Sequence, residues 1–324
     1  MKVLIVGYGN VGKGVRAAVK AAPDMQLFGI VTRRPREVER ELPSENIVSS
    51  DYLGKVTTAD VAILCGGSKE DLPDQGPKMA RMFNTVDSFD THAKIPSYWR
   101  DMNDSASRAN KVALISAGWD PGVFSIMRIM FEAFLPQGSS HTFWGPGVSQ
   151  GHSDAVRRID GVIDARQYTL PIEEVLEQVR QGLTPSLDPC QMHKRVVYVT
   201  AEPEADRQRI KEEIVGMPHY FKGYETEVHF ISLEEMEENH SSYPHGGHVL
   251  RTGDTGLDGR SAQNVEFSCA LQSNPEFTGS ILVACARAAV RLQEEGRIGA
   301  FTMDEVPPCF FSTSPSHVLR EKII

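Results

Sequence analysis

The chain has 324 residues, enough for two domains of about 150 residues each and too long for a small disulfide-held scaffold. Hydrophobic residues make up 40% and charged residues 24%, a globular balance that argues against a disordered chain. A formal charge of −9 opposes nucleic-acid binding, and five cysteines with no CxxC pair point to reduced thiols in a cytoplasmic protein, with neither a disulfide framework nor a zinc site; no metal is expected.

The first apolar run, Val3–Val6, is too short for a secretory or membrane-spanning segment and reads as a buried strand, so no membrane association is expected. It runs directly into Gly7-Tyr8-Gly9-Asn10-Val11-Gly12, a GxGxxG that opens a helix expected over residues 12–22. There, backbone N–H groups and the helix dipole suit a pyrophosphate, the alternative being a merely tight turn. A second strand, Leu27–Val31, ends at Thr32-Arg33-Arg34, where an NAD-specific protein places an acid on the ribose hydroxyls. Two guanidinium groups at that point suit the 2′-phosphate of NADP, unless they are a solvated arginine pair. The strand Val61–Leu64 ends at Cys65-Gly66-Gly67-Ser68, small residues that let backbone approach the cofactor, with no chemistry expected of the thiol.

A helix is expected over Pro77–Phe83, followed by strands Thr85–Ser88 and Val112–Ser116. The two strand-end loops, Ser88-Phe89-Asp90 and Ala117-Gly118-Trp119-Asp120-Pro121, are expected to reach the nicotinamide end of the cofactor. Asp90 and Asp120 form a candidate paired-carboxylate site for a substrate ammonium, the plainer reading of Asp120 being a cap on the helix that follows. Apolar strands alternating with helices predict a doubly wound parallel sheet, a Rossmann-type NADP-binding domain over residues 1–120.

Beyond Pro121 the pattern changes. A helix over Val123–Phe134 precedes alternating segments at His141–Trp144, Arg195–Thr200, Glu225–Ile231 and Val265–Leu271. Period-two alternation predicts a mixed or antiparallel sheet in a second, α+β domain over residues 121–296. A long helix over Phe277–Glu295 stops at Gly296, and the tail, residues 297–324, is expected to pack back on the first domain.

Several segments are longer and more peculiar than a shared nucleotide motif: Gly118-Trp119-Asp120-Pro121-Gly122, His141-Thr142-Phe143-Trp144-Gly145-Pro146-Gly147, Ser149-Gln150-Gly151-His152-Ser153-Asp154-Ala155, Tyr168-Thr169-Leu170-Pro171 and Pro244-His245-Gly246-Gly247-His248. With the Val6–Asn10 turn they give a chain that resembles the meso-diaminopimelate dehydrogenases from residue 2 to about 303. The resemblance implies a homodimeric, NADP-dependent enzyme that oxidatively deaminates the D-centre of meso-2,6-diaminopimelate to L-2-amino-6-oxopimelate and ammonium, in lysine and cell-wall precursor metabolism. It carries substrate contacts onto Asp90, Asp120, Trp144, Gln150, Gly151, Thr169, Arg195, His245 and Asn274, with Asp154 in the same neighbourhood.

That set suits a substrate with two carboxylates and two ammonium groups: Arg195, Thr169, His245 and Asn274 offer donors, Asp90 and Asp120 acceptors. Asp90 or Asp120 is expected to orient the reacting amine and water, the identity of the general base stays open, and His152 and His248 are expected to be structural. The chain departs from the family pattern at Leu257 to Gln263, a turn-like stretch expected to bear on closure or substrate breadth, and past Met303. Competing readings are a broad-specificity NADP-dependent D-amino acid dehydrogenase, a dihydrodipicolinate reductase or sugar-type dehydrogenase whose lysine motifs are missing around Asp90-Thr91-His92-Ala93-Lys94, and a non-catalytic NADP-sensing dimer.

Overall fold

A computed structural model of the chain describes residues 1–50, 58–183, 186–259 and 261–323. It divides into two compact units, Met1–Ile126 with Pro275–Ile324, and Met127–Asn274.

The first unit is built on a seven-stranded parallel sheet. Its strands β1 (Lys2–Val6), β2 (Gln26–Thr32), β3 (Ile47–Ser49), β4 (Val61–Leu64), β5 (Asn84–Asp87) and β6 (Val112–Leu114) are joined by a last one, Gly299–Phe301, from the far end of the chain. The order across the sheet is Gly299–Phe301, β6, β5, β4, β1, β2, β3, so the order in which strands are added switches sides between β1 and β4 while all strands stay parallel. β4, β5 and β6 are buried along their whole length; β4 and β6 therefore read as short unbroken apolar runs, while β5 buries the polar Asn84, Thr85 and Asp87. Leu4, Val6, Leu64, Phe83, Phe89 and Tyr98 lie in one core with the helices Leu72–Ala80 and Ile95–Arg108. The first of these helices begins five residues before the predicted Pro77: Pro73 stands in its first turn, where the missing N–H costs no helical bond, Pro77 lies inside it, and Leu72, Gly76 and Met79 make its buried stripe.

The long helix Asn274–Glu294 belongs to this unit, not to the second domain in which its sequence position placed it. Its Gly279 sits against the helix Asn10–Ala21 at Gly14, where a Cβ on either glycine would come within 2.5 Å of the other chain segment's backbone. Arg287 pairs with Asp24 at 2.6 Å, and Arg291 donates to the carbonyls of Cys309, Phe310 and Ser312, drawing the tail onto the same helix.

The second unit holds two sheets. One has the order β11 (Thr226–Phe230), β10 (His193–Ala201), β9 (Val162–Pro171), β8 (Gly147–Val148), with β10 and β11 parallel and the rest antiparallel. The other places β12 (His245–Thr255) between β13 (Ser261–Leu271) and β7 (Gly138–Trp144), all antiparallel. Val156, Val197, Val199, Ile210, Ile214 and Phe221 form the core under the first sheet. Of the predicted turn at Leu257 to Gln263, Arg260 lies outside the described residues, and Ser261 to Gln263 are strand paired with Gly253 to Thr255.

Candidate functional site

At the carboxyl ends of β1, β2 and β4 the first unit opens a cleft of about 500 Å³, lined by Gly7, Tyr8, Gly9, Thr32, Arg33, Arg34, Cys65, Gly66 and Gly67 of the predicted set. Gly7 has φ +96° and packs against the Cys65 carbonyl, and Gly12 stands where a Cβ would overlap the Gly7 oxygen. Gly9 faces open space and precedes the helix Asn10–Ala21, which no side chain caps, so the first-turn amides, Val11 among them, are available to an anion. The residues fit a dinucleotide: a glycine-lined cradle, an uncapped helix and, in the same cleft, the buried Oε1 of Gln75 with no partner among the described residues.

The arginines at the end of β2 are held by carboxylate and carbonyl oxygens. Arg33 reaches Asp71 at 3.3 Å, and Arg34 reaches Glu37 at 2.7 Å and the Tyr8 carbonyl at 3.3 Å, while Thr32 accepts the Arg34 N–H. Asp71 and Gln75 escaped the sequence reading. Asp71 immediately precedes the helix Leu72–Ala80 and Gln75 lies within it, and their only signal was closeness to the Cys65–Ser68 loop. Burial pushes the Cys65 thiol up to about 12, so it stays protonated and unreactive.

Next to this cleft, the loops after β5 and β6 carry the two acids. Asp90 is exposed, and its N–H donates to Ser68 Oγ at 2.9 Å. Asp120 is half-buried in the turn 119–123. Not every residue of these loops faces outward. Phe89 stacks on Tyr98 at 4.1 Å inside the core, Ala117 is buried, and Trp119 lies edge-on to Phe124 at 5.1 Å, so these positions present backbone and not side chains to a ligand. Ser88 is half-buried beside Phe89, while Gly118 and Pro121 form the turn that carries Asp120.

In the second unit Trp144, Thr169, Arg195 and His245 of the predicted set lie where β7, β8, β9, β10 and β12 meet. The register pairs Arg195 with Thr169 and Thr169 with Gly147. A Cβ on Gly147 would stand 2.5 Å from the His245 ring, so glycine there lets that imidazole in. Arg195 donates to Thr169 Oγ1, lies over the Tyr224 ring at 4.2 Å and is 9% exposed, yet it has no acidic partner among the described residues, and its Nε has no acceptor. Burial also pulls its pKa below the usual arginine value.

Gln150 and Gly151 open the helix Gln150–Arg157, and nothing lies within 4 Å of a Cβ built on Gly151. Asp154, one turn further, is exposed and paired with Arg157. Asn274 donates its N–H to the Tyr243 carbonyl. His193, missed by the sequence reading, accepts the Trp144 N–H at Nε2 and stacks on the indole. His152 bonds Ser149 Oγ at 2.7 Å and burial takes it down to about 4, while His248 bonds Glu266 at 2.7 Å; both are tied into the frame.

Residues 118–273 match the family model of the diaminopimelic acid dehydrogenase C-terminal domain. A meso-diaminopimelate D-dehydrogenase of Acetivibrio thermocellus is 48% identical over 326 residues, which span 100% of this chain and 98% of the relative.

The chain belongs to the meso-diaminopimelate D-dehydrogenase family.

Two solved structures give the same picture in three dimensions. The diaminopimelate dehydrogenase of Corynebacterium glutamicum in complex with diaminopimelate superposes with a TM-score of 0.93 at 44% identity, covering 100% of this chain and 99% of that one. An engineered D-amino acid dehydrogenase bound to NADP+ superposes with a TM-score of 0.89 at 43% identity, again over 100% and 99%. For a meso-diaminopimelate D-dehydrogenase family member the seven-stranded sheet with its glycine turn and the separate mixed and antiparallel sheets are the expected architecture. Among the described residues no group of three or more histidines, cysteines or acids is placed to hold a metal, and no helix is long and apolar enough to cross a membrane.

Proposed function

We propose that this chain catalyses the reversible, NADP-dependent oxidative deamination of the D-centre of meso-2,6-diaminopimelate. The products are L-2-amino-6-oxopimelate, which cyclises to tetrahydrodipicolinate, and ammonium. The observation that carries the reading is Arg195: a guanidinium 9% exposed, bonded to Thr169 and without a carboxylate among the described residues. Buried charges are paired in folded proteins, and an unpaired one is held for a ligand that brings the opposite charge. A substrate carboxylate supplies it.

Bound NADP+ supplies the two-electron acceptor for the C–H bond of the D-centre. Gly7, Gly9 and the amides of Asn10 to Gly12 hold its pyrophosphate, and Arg33 and Arg34 leave Asp71 and Glu37 for its 2′-phosphate. Arg195, Thr169, His245 and Asn274 take the carboxylates of the substrate, and Trp144, Gln150 and Gly151 shape the surface on which it lies. Asp90 and Asp120 take the ammonium groups, and Asp120 orients the reacting amine and the water that replaces it. Holding both ends of the molecule selects one stereocentre, because the reacting atoms must approach to about 3–3.5 Å.

The reading includes a homodimer in the cytoplasm, acting in lysine and cell-wall precursor synthesis. Exposed Ile129, Met130 and Phe134 on the helix Phe124–Phe134 support self-association, and five free cysteines support a reducing compartment. Light scattering reads the mass directly; a monomer at assay concentration would remove the dimer.

The deciding experiment follows absorbance of reduced nicotinamide with NADP or NAD and the meso isomer, the LL isomer or D-lysine. Reduction only with NADP and the meso isomer is expected. Equal rates with D-lysine would favour the broad D-amino acid dehydrogenase, and tight NADP binding without any reduction would overturn the enzymatic reading.

A further inference from the structure

Beneath the two acids lies a third that no ligand can reach. Asp87, the last residue of β5, is fully buried. Its Oδ1 accepts the N–H of Phe89 at 3.0 Å and of Ser116 at 3.2 Å, and its Oδ2 accepts the Tyr98 hydroxyl at 2.8 Å. Its backbone carbonyl accepts the N–H of Ala117 at 2.8 Å. One side chain therefore ties the start of the loop that bears Asp90 to the start of the loop that bears Asp120.

The surroundings are built for this carboxylate. Ser116 sits at φ +52°, a left-handed conformation unusual for serine, and two of the bonds that fix this turn, at Ser116 and at Ala117, end on Asp87. Tyr98 is fixed by its stack on Phe89, and Gly76 is the residue that makes room for its hydroxyl. Ser68 Oγ accepts the N–H groups of Asp90 and Thr91, so the loop after β4 braces the far side of the Asp90 loop. Three converging donors fit an acceptor-only carboxylate.

We infer that Asp87 is a positioning residue for the deamination: it sets the spacing of Asp90 and Asp120 without touching substrate or cofactor. The inference rests on the reading that Asp90 and Asp120 meet the ammonium groups of the substrate.

The test compares Asp87→Ala, Asp87→Asn and Tyr98→Phe with Asp90→Asn and Asp120→Asn in the full-length enzyme, measuring kcat and KM for meso-diaminopimelate and Kd for NADP. Asp87→Ala is expected to lower kcat/KM by about 10- to 100-fold, the scale of a small misplacement of reacting groups, with Kd for NADP within about threefold. Asp87→Asn keeps an oxygen for both N–H groups and is expected to recover most of that loss, with Tyr98→Phe in between. Because Asp87 acts through the acids, adding Asp87→Ala to Asp120→Asn should cost less than it costs alone.

Should Asp87→Ala fail to fold, Asp87→Asn and Tyr98→Phe still decide: a graded loss in kcat/KM at constant NADP affinity supports the role, and wild-type kinetics in both overturn it. Equal losses in Asp87→Ala and Asp87→Asn, accompanied by lost NADP binding, also overturn it. If Asp90→Asn and Asp120→Asn leave turnover unchanged, the site reading falls and takes this inference with it. If they impair turnover while Asp87→Ala does not, only the inference falls.

Discussion

His193 accepts the backbone N–H of Trp144 at 2.8 Å through Nε2, while its ring stacks on the Trp144 indole with centroids 5.4 Å apart. The acceptor role requires the proton on Nδ1, which faces the Pro189 carbonyl at 3.0 Å. A neutral imidazole thus fixes both the backbone and the ring of a residue proposed to shape the substrate surface. His193→Phe keeps a ring against the indole but strands the N–H. It is expected to cost about 1–3 kcal/mol of stability and to raise KM for diaminopimelate at unchanged NADP affinity. Urea unfolding and steady-state kinetics check both; an unchanged KM would detach His193 from the site.

Acid should destabilise the protein between pH 6.5 and 4. Burial holds His152 and His193 down to about 4, whereas an unfolded histidine titrates near about 6.5, so over this window the unfolded chain takes up protons that the folded chain refuses. Asp87 has the opposite sign: burial pushes it up to about 6, and its contribution is fully present below about 4 and is lost as pH rises to 6. Each group contributes on the order of 3 kcal/mol, and two histidines outweigh one acid. Unfolding midpoints measured from pH 4 to 7 should fall on acidification, more steeply in Asp87→Asn; a rise would refute the assignment.

Arg195→Met should separate stability from activity. Removing a buried charge that lacks an acidic partner is expected to stabilise the fold by about 1–3 kcal/mol. Losing a charged contact to a substrate carboxylate should lower kcat/KM by about 10- to 100-fold. Calorimetry and kinetics on one preparation read both quantities, and a less stable variant with normal turnover would make Arg195 a structural residue.

Neutralising Arg33 and Arg34 together should weaken NADP by about 2–4 kcal/mol and leave NAD nearly unchanged, since only NADP carries the phosphate that draws them from Asp71 and Glu37. Titration calorimetry with both nucleotides decides; equal losses would place the arginines outside cofactor selection.

The first sheet was legible because β1, β4 and β6 are short apolar runs and the glycine turn directly follows the first of them. β9 was not, for a physical reason: its buried side carries Gln167 and Thr169, polar residues turned inward at the candidate site, and this erases the alternation by which a half-buried strand is recognised. The helices Gln150–Arg157 and Leu233–His240 escaped because each is eight residues long, with one buried apolar side chain, Val156 and Met236. Asp71, Asp87 and His193 act through partners brought near by folding, and Gln75 reaches the cleft only in the folded chain; no spacing in the sequence announces either. The grouping of the helix Asn274–Glu294 turned on Gly14 and Gly279, whose close approach carries no hydrophobic signature.

The strand Gly299–Phe301 pairs with β6 along the edge of the first sheet, so the order in which the ribosome makes this protein is not the order in which it can finish folding. Residues 1–126 emerge early and then wait with the β6 edge open while the whole of the second unit is synthesised. An open parallel edge is a template for other chains, and closing it requires contacts nearly two hundred residues apart. The second unit, continuous in sequence, has no such delay. Newly made chains are therefore expected to pass through a stage in which the second unit is folded and the first is still open to chaperones.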